Sequence, residues 1–338
     1  MDHRPNNRAC ELLECRVPIV LAGMGGVSRS ELVAAVSGTG GFGFLGMVRE
    51  PETLIWREVE AVRDLGYRHF GVNIIPAATE RRLLDRQVGT IIELGVPVVA
   101  LFWDIDAAIV ARFRDAGTLV VYQVGSVDEA IAAERAGAEI IVAQGVEAGG
   151  HVRGTRRLAE LLPAVVAAVR TPVLAAGGLA SGGDFVTAQA LGADGIVLGT
   201  ALLATKESFA HRYHKDRLLA ASGAETVLTD VFHINWPPGA PVRVLKSNVT
   251  QRRPADAEAA ERRVIGDEDG RPIYLFSTDS PLRSMTGDFA SMALYAGTGV
   301  GNISKITGAG DRIRAILAEA ASLAAETEGD EFGRLLCG

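Results

Sequence analysis

His151 stands at the end of a segment whose residue types are typical of a catalytic loop. The segment reads AQGVEAGGH, so that a polar amide, Gln144, is followed by a glycine-rich turn that ends in an imidazole. An imidazole exchanges protons near neutral pH, and the glycines let the backbone adjust so that the ring can reach a substrate. We therefore predict that His151 is a catalytic base or a hydrogen-bond donor. Glu147 is an alternative acid or base, although a role in stabilising the turn fits it better.

Two later segments, AAGGLASGG and VLGT, are typical of phosphate binding. Without a Cβ atom, Gly177 and Gly178 can bring backbone N–H groups against phosphate oxygens, and the start of the following helix would add a favourable dipole. Gly199 and Thr200 would form a second arm that includes a hydroxyl donor. The alternative interpretation is that these glycines only form tight turns.

These segments need a scaffold, and the sequence predicts parallel βα units. Eight short apolar runs alternate with alanine-rich amphipathic stretches: PIVLAG (18–23), GFGFLG (41–46), HFGVNI (69–74), PVVALF (97–102), TLVVYQV (118–124), EIIVAQ (139–144), PVLAAG (172–177) and GIVLGT (195–200). The pattern fits a TIM barrel or an open sheet. We favour the barrel because the units are evenly spaced and the glycine-rich or polar motifs follow strand ends, which a barrel gathers on one face.

Other polar or small residues would share that face. Asn73 ends the third run and can both donate to and accept from a cofactor ring, although an Asx turn is equally compatible with it. Gly23, Met24 and Gly25 end the first run, where small residues would let the backbone lie flat against an aromatic ring. Gln123 ends the fifth run and is a further candidate lining residue.

The chain is longer than a plain barrel, which needs about 250 residues. After Thr200 the regular alternation stops, and residues 206–285 are richer in Arg, Asp, Pro and His. We predict that residues 1–205 and 286–338 form the barrel, with a terminal helix packed back on it, and that 206–285 form an inserted lid. His233 and Trp236 in this segment either face the substrate or pack in the lid core.

The composition narrows the class of partner. The 338 residues are 48% hydrophobic and 22% charged, and the net charge is −7, from 34 basic and 41 acidic residues without a basic block. This charge disfavours nucleic acid and anionic membrane surfaces and favours a small-molecule partner. His211 and His214 have the i, i+3 spacing of a helical pair, but no third ligand completes a metal site, so we predict none.

The cysteines and the apolar runs indicate the cellular compartment of the protein. Cys10, Cys15 and Cys337 lie towards the chain ends without CxxC spacing, which favours a reducing compartment. The N-terminal residues lack the apolar core of a signal peptide, and no apolar run approaches the roughly 20 residues of a membrane span. We therefore expect a cytoplasmic protein, with homo-oligomerisation left open.

Taken together, the segments resemble the nitronate monooxygenase family, formerly called 2-nitropropane dioxygenase. This family also includes flavin-dependent enoyl-acyl-carrier-protein reductases and some NAD(P)H:quinone reductases. The resemblance covers nearly the whole chain, and the matching pieces are PIVLAGMGGVSRSELVAAVSGTGGFGFLG, FGVNI, AQGVEAGGHVRG, PVLAAGGLASGGDFVTAQALGADGIVLGT and ALYAGTGVG. AQGVEAGGH is the specific piece, and the glycine-rich pieces support it.

The resemblance implies a TIM barrel that holds non-covalent FMN. It places the flavin phosphate at Gly177, Gly178, Gly199 and Thr200, the ring contacts at Asn73, Gln144 and Gly149 with Gly150 beside them, and the catalytic histidine at His151. Within the family, Gln144 and Ala148 match the monooxygenase form of the motif.

The resemblance also implies the reaction. We expect oxidation of an alkyl nitronate with O2, in which His151 acts as base or hydrogen-bond donor. One alternative is an NAD(P)H-dependent flavin reductase of quinones or enoyl thioesters. Another, from a different class, is a non-catalytic flavin or phosphometabolite sensor.

Overall fold

The eight predicted runs all form strands, and these strands close into one parallel barrel. A computed structural model describes residues 7–251 and 262–326. The barrel strands are β1 Ile19–Leu21, β2 Phe42–Gly46, β3 Gly71–Ile74, β4 Val98–Phe102, β5 Leu119–Val124, β6 Ile140–Gln144, β8 Val173–Ala176 and β9 Gly195–Leu198; β7, Gly150–His151, belongs to another sheet. Val20 of β1 pairs with Phe42 on one side and with Val197 on the other, which closes the barrel. The predicted TIM barrel is confirmed.

Helices surround the barrel, and polar side chains fix where several of them begin. A short helix precedes the barrel and seven helices connect its strands: α1 Arg8–Leu13, α2 Ser30–Ser37, α3 Glu52–Asp64, α4 Arg81–Glu93, α5 Ala107–Asp115, α6 Val127–Ala136, α7 Leu158–Ala168 and α8 Gly182–Ala190. Asp106, Ser126 and Ser181 accept hydrogen bonds from backbone amides in the first turns of α5, α6 and α8. Such caps satisfy amides that have no partner inside the helix.

The strands are apolar on both faces because both faces are buried. Ile19 and Leu21 of β1 point outwards into the core beneath the helices, whereas Val20 points inwards and packs in the barrel interior. Cys10 and Leu13 of α1 join that interior cluster and close the barrel at the end opposite the strand C-termini. Each fully buried side chain of this size stabilises the fold by about 1.5–3 kcal/mol.

The chain after β9 forms two small antiparallel sheets beside the strand C-termini. Its elements are α9 Thr200–Leu203, α10 Arg212–Leu219, β10 Thr226–Thr229, β11 Val242–Leu245, β12 Val264–Glu268, β13 Arg271–Tyr274 and β14 Met285–Gly287. One sheet has the order β10-β11-β7 and the other β13-β12-β14. Strand β7, from the loop after β6, therefore pairs with the segment predicted to be a lid. The lid boundaries stay a prediction.

The terminal helix α11, Ala309–Glu326, packs against α2 and α8. Glu319 accepts a hydrogen bond from the Gly182 amide at 2.9 Å, and a Cβ atom on Gly182 would lie 2.4 Å from the Ala320 nitrogen. Glycine at position 182 therefore permits the close approach of α11 to α8. Two parts of the predicted domains lie outside the described residues. They are 252–261 in the predicted lid and 327–338, which include Cys337, in the predicted barrel domain. Among the described helices, none is both long and apolar enough to cross a membrane.

Candidate active site

A cavity of about 650 Å³ opens at the C-terminal ends of the barrel strands, a size typical of small-molecule sites. All of the site residues predicted from the sequence line it, namely Gly23, Met24, Gly25, Asn73, Gln123, Gln144, Gly149, Gly150, His151, Gly177, Gly178, Gly199 and Thr200. The sequence motifs that lie far apart in the chain therefore meet around one space.

One end of the cavity is formed by exposed backbone amides. Gly177 and Gly178 follow β8 with φ angles of 115° and 74°, a region that favours glycine. In residues 7–251 and 262–326, neither amide N–H donates a hydrogen bond to the protein, and nor does that of Gly199 at the end of β9. These donors, together with the Thr200 hydroxyl, form a cradle that suits a phosphate group.

At the start of α8, three backbone amides donate hydrogen bonds to carboxylates of the protein. The Ala180 and Ser181 amides donate to the Asp184 carboxylate at 2.8 and 2.9 Å, and the Gly182 amide donates to Glu319. Carboxylates of the protein therefore already bind these donors. The contribution of α8 to an anion in the cradle is limited to its dipole.

The turn at residues 297–299 closes this end of the cavity. The Gly297 amide donates to the Thr200 hydroxyl at 2.9 Å, and the Thr298 amide donates to the Glu147 carbonyl at 3.0 Å. A Cβ atom on Gly178 would lie 2.8 Å from Thr298 Oγ1, so the turn packs directly on the cradle. Because Thr200 accepts from Gly297, its own hydroxyl proton stays available to a ligand.

Asn73 and the end of β1 form another wall of the cavity. The Asn73 amide nitrogen donates to the Ala100 carbonyl at 3.1 Å, which fixes the side chain. A Cβ atom on Gly23 would lie 2.2 Å from Asn73 Cβ, so only glycine permits this approach. This wall therefore brings the backbone after β1 directly against the Asn73 side chain.

Two contacts hold the backbone of His151 at the cavity. Gln144 at the end of β6 donates to the His151 carbonyl at 2.9 Å and accepts from the Arg153 amide at 3.2 Å. On its other side, His151 pairs with Val242 of β11. Glu147 instead accepts from the Leu158 amide at 3.0 Å, so it stabilises the start of α7.

Aromatic side chains surround the imidazole of His151. It stacks on Trp236, with ring centroids 3.3 Å apart and planes at 12°. Trp103 lies edge-on to Trp236 at 5.6 Å, and the Tyr295 ring is 6.1 Å from the imidazole. His151 Nε2 is buried and has no hydrogen-bond partner within the described residues.

This environment keeps His151 neutral. Burial lowers the pKa of His151 well below its ordinary value of 6.5, and the charge of Arg49 lowers it further. Desolvation disfavours the charged imidazolium, and a nearby cation acts in the same direction. The side chain that faces the cavity is thus an uncharged imidazole that can donate or accept one hydrogen bond through Nε2.

Sequence reasoning missed Arg49 and Trp103, assigned Tyr295 to packing because its surroundings are apolar, and left Trp236 undecided. Arg49 and Trp103 follow β2 and β4 in left-handed conformations, with φ angles of 59° and 83°, which are uncommon for residues other than glycine and recur at functional sites. Their position after barrel strands was a usable signal. Trp236 and Tyr295 come from the chain beyond β9, whose placement the strand pattern does not predict.

His214 and His233 do not line this cavity. His233 Nδ1 contacts the Val231 carbonyl at 3.1 Å, and His214 lies between the Tyr295 carbonyl and the Ser280 hydroxyl. The described part of the chain holds no group of three His, Cys, Asp or Glu side chains placed to bind a metal ion.

A TIM barrel with a phosphate-type cradle and a buried imidazole at the strand C-termini defines a class of cofactor-dependent barrel enzymes. The profile of the family described as "Nitronate monooxygenase" matches residues 6–319, and the chain belongs to that family. By this membership it is a flavin-dependent oxidoreductase.

Individual relatives and solved structures are also similar to this chain. A protein from Staphylococcus haemolyticus named "Probable nitronate monooxygenase" is 33% identical over 271 residues, which cover 67% of this chain and 76% of the relative. FabK from Thermotoga maritima has a TM-score of 0.83 at 29% identity, covering 96% of this chain and 99% of FabK. Nitroalkane oxidase from Streptomyces ansochromogenes has a TM-score of 0.76 at 31% identity, covering 95% and 100% of the two chains.

Proposed function

We propose that this protein binds FMN and oxidises alkyl nitronates, with O2 as the electron acceptor. The observation that carries the proposal is the convergence of the glycine cradle, Asn73, Gln144 and the buried imidazole of His151 on one cavity. Family membership and the names of the relatives support the same chemistry.

FMN is the flavin that we assign to this cavity, because the cradle suits a terminal phosphate group. Gly177, Gly178, Gly199 and Thr200 would bind that phosphate, and the turn at 297–299 packs beside them. FMN ends in a phosphate monoester, which can accept hydrogen bonds from several backbone amides at once.

The other end of the cavity would hold the flavin ring. The residues that we assign to the ring line the same cavity, namely Asn73, Gln144 and Gly149, with Gly23, Met24, Gly25, Gln123 and Gly150. When bound, the flavin would supply the redox chemistry between the nitronate and O2. The residues of the chain bind and orient the two reactants and exclude water from them.

His151 would act on the substrate through Nε2. This atom is buried and unpartnered, so a substrate oxygen or an acidic C–H group placed there would be its first hydrogen-bond partner. The lowered pKa makes the imidazole a weak base. Orientation of a nitronate that is already ionised therefore fits the site better than proton abstraction from a neutral nitroalkane.

The experiment begins with the purified protein. We expect a yellow chromophore whose released cofactor behaves as FMN in chromatography, and O2 consumption that depends on added alkyl nitronate. A colourless protein that also fails to bind added FMN would overturn the flavin assignment. Release of FAD would overturn only the choice of FMN.

A second candidate is an NAD(P)H-dependent flavin reductase of quinones or enoyl thioesters. The observation that favours it is that the TM-score to FabK, 0.83, is higher than that to nitroalkane oxidase, 0.76. The nitronate monooxygenase family also includes flavin-dependent reductases. Anaerobic mixing with NADH and with NADPH separates the two candidates. Rapid bleaching of the flavin absorbance would favour the reductase, and a stable oxidised spectrum would favour the nitronate enzyme.

A further inference from the structure

Three nitrogen atoms without partners border the same cavity. Arg49 Nε, His151 Nε2 and Trp236 Nε1 are all buried, and none has a hydrogen-bond partner among the described residues. Arginine and tryptophan nitrogens only donate, and the neutral imidazole can donate as well. Buried polar groups without partners are costly, so their convergence indicates a ligand that supplies acceptors.

Other charged groups at the cavity are paired more tightly than Arg49. Arg271 donates to Glu268 at 2.5 Å and to Asp279 at 3.1 Å, and Arg29 donates to Glu50 at 3.2 Å. These pairs occupy the carboxylates that line this part of the wall. Little negative charge therefore remains on this part of the wall to pair with another cationic side chain.

Arg49 has only weak contacts of its own. Its Nη2 atom lies 3.4 Å from the Thr278 hydroxyl and 4.0 Å from Asp279 Oδ1, an oxygen that already accepts from Arg271. Its charge adds to the lowering of the His151 pKa that burial causes, which places it within electrostatic reach of the imidazole. Arg49 is therefore the loosely held positive charge on the substrate side of His151.

We propose that Arg49 and the indole N–H of Trp236 bind the oxygen atoms of an anionic substrate, and that they make the enzyme select an ionised nitronate over the neutral nitroalkane. A nitronate carries two oxygens in one plane and shares one negative charge between them, which matches donors from a guanidinium, an indole and an imidazole. Charge-assisted hydrogen bonds are about twice as strong as neutral ones. This inference rests on the proposed function for the identity of the substrate.

The direct test measures binding of nitrate, a planar oxyanion with the same O–N–O unit, to the oxidised holoenzyme through the change in flavin absorbance. Arg49→Gln should weaken nitrate binding by about 10- to 100-fold, because one charge-assisted contact is lost. Arg49→Lys should retain more affinity than Arg49→Gln. The matched control is Arg212→Gln, which removes an exposed arginine that pairs with Asp216 away from the cavity.

Turnover gives a second readout. In Arg49→Gln, the loss of kcat/KM should be larger for an alkyl nitronate than for the corresponding neutral nitroalkane and should lie mainly in KM. The reason is that the negative charge is present in the bound nitronate before electrons leave it. Equal losses for the two substrates would overturn the assignment of Arg49.

Trp236→Phe keeps an aromatic ring, although a smaller one, and removes the N–H donor. It should weaken nitrate binding by about threefold to tenfold, and it decides the question if Arg49→Gln does not accumulate as folded protein. Wild-type nitrate affinity in both Arg49→Gln and Trp236→Phe would overturn the inference. If nitrate binding depends on Arg49 but no nitronate is oxidised, the anion site stands and the proposed function fails.

Discussion

The imidazole of His151 lies flat on the indole of Trp236, with ring centroids 3.3 Å apart. His151 belongs to β7 in the loop after β6, whereas Trp236 lies between β10 and β11. This contact covers one face of the imidazole, so the segment after β9 sets the solvation of a residue that the barrel carries. The protonation state of His151 therefore depends on Trp236.

Replacing Trp236 with Ala should raise the pKa of His151 towards 6.5. Desolvation is the largest cause of the lowered pKa, and removal of the indole admits water to the ring. The measurement is an NMR titration of the His151 imidazole. Trp236→Phe is the control and should keep most of the depression, since an aromatic ring still covers the imidazole. A Trp236→Ala variant that titrates as the wild type does would contradict this account.

Replacing His151 with Ala should abolish most turnover without releasing the flavin. The loss expected for a positioned acid, base or hydrogen-bond donor is about 100- to 10,000-fold, while the glycine cradle stays unchanged. Steady-state O2 consumption measures the loss of turnover. The flavin content of the purified variant shows whether the cofactor is retained. His69→Ala is the control because His69 is an exposed partner of Glu14. Unchanged turnover in His151→Ala would remove His151 from the chemistry.

Replacing Gly178 with Ala should weaken FMN binding by roughly tenfold or more, since the cradle would lose at least one well-placed amide. Gly178 has a φ of 74°, and an added Cβ would lie 2.8 Å from Thr298 Oγ1 and 2.9 Å from Glu147 Cβ. The backbone must therefore shift. Titration of the apoprotein with FMN, followed by quenching of flavin fluorescence, measures the effect.

Gly66→Ala is the matched control for the glycine substitution. Gly66 also has a positive φ, 92°, but no atom lies within 4 Å of an added Cβ, and it is absent from the cavity wall. Both variants should lose some stability through backbone strain. Equal FMN affinity in Gly178→Ala and Gly66→Ala would show that the cradle does not bind the cofactor.

The barrel could be predicted from the sequence because its strands are buried on both faces. Runs such as PVVALF and EIIVAQ are nearly all apolar, which distinguishes them from the amphipathic helices between them. The site residues could be predicted for a related reason. Parallel strands all end on one face, so a motif that follows a strand has a known position even when its contacts are unknown.

The part of the site that comes from the segment after β9 could not be predicted in this way. Trp236 reaches His151 through the pairing of β11 with β7, and β7 is only two residues long. The sequence places Arg49 after β2, but its conformation and the absence of a close carboxylate are seen only in the structure. Long-range pairing and the balance of charges decide these features, and neither leaves a periodic pattern in the sequence.

Acid should destabilise the fold between about pH 6.5 and pH 4, partly through His214. This side chain is fully buried, and burial lowers its pKa from 6.5 to about 4. Its Nε2 donates to the Tyr295 carbonyl at 3.0 Å, so its Nδ1 accepts from the Ser280 hydroxyl at 3.1 Å. Below pH 6.5 the unfolded chain binds a proton that the folded protein does not, so the free energy of unfolding falls as the pH falls, by at most about 1.4 kcal/mol per pH unit from this one group.

Urea unfolding at pH 7.5, 6.0 and 5.0 tests this dependence. His214→Gln should be less stable than the wild type at pH 7.5, because a buried hydrogen-bonded side chain is changed, but its stability should fall less steeply towards pH 5.0. His69→Ala is the control for removal of an imidazole, since His69 is exposed. His151 also contributes to the slope in the same direction, so the His214→Gln variant should retain part of it. The same slope in His214→Gln and in the wild type would mean that His214 is not the neutral buried group described above.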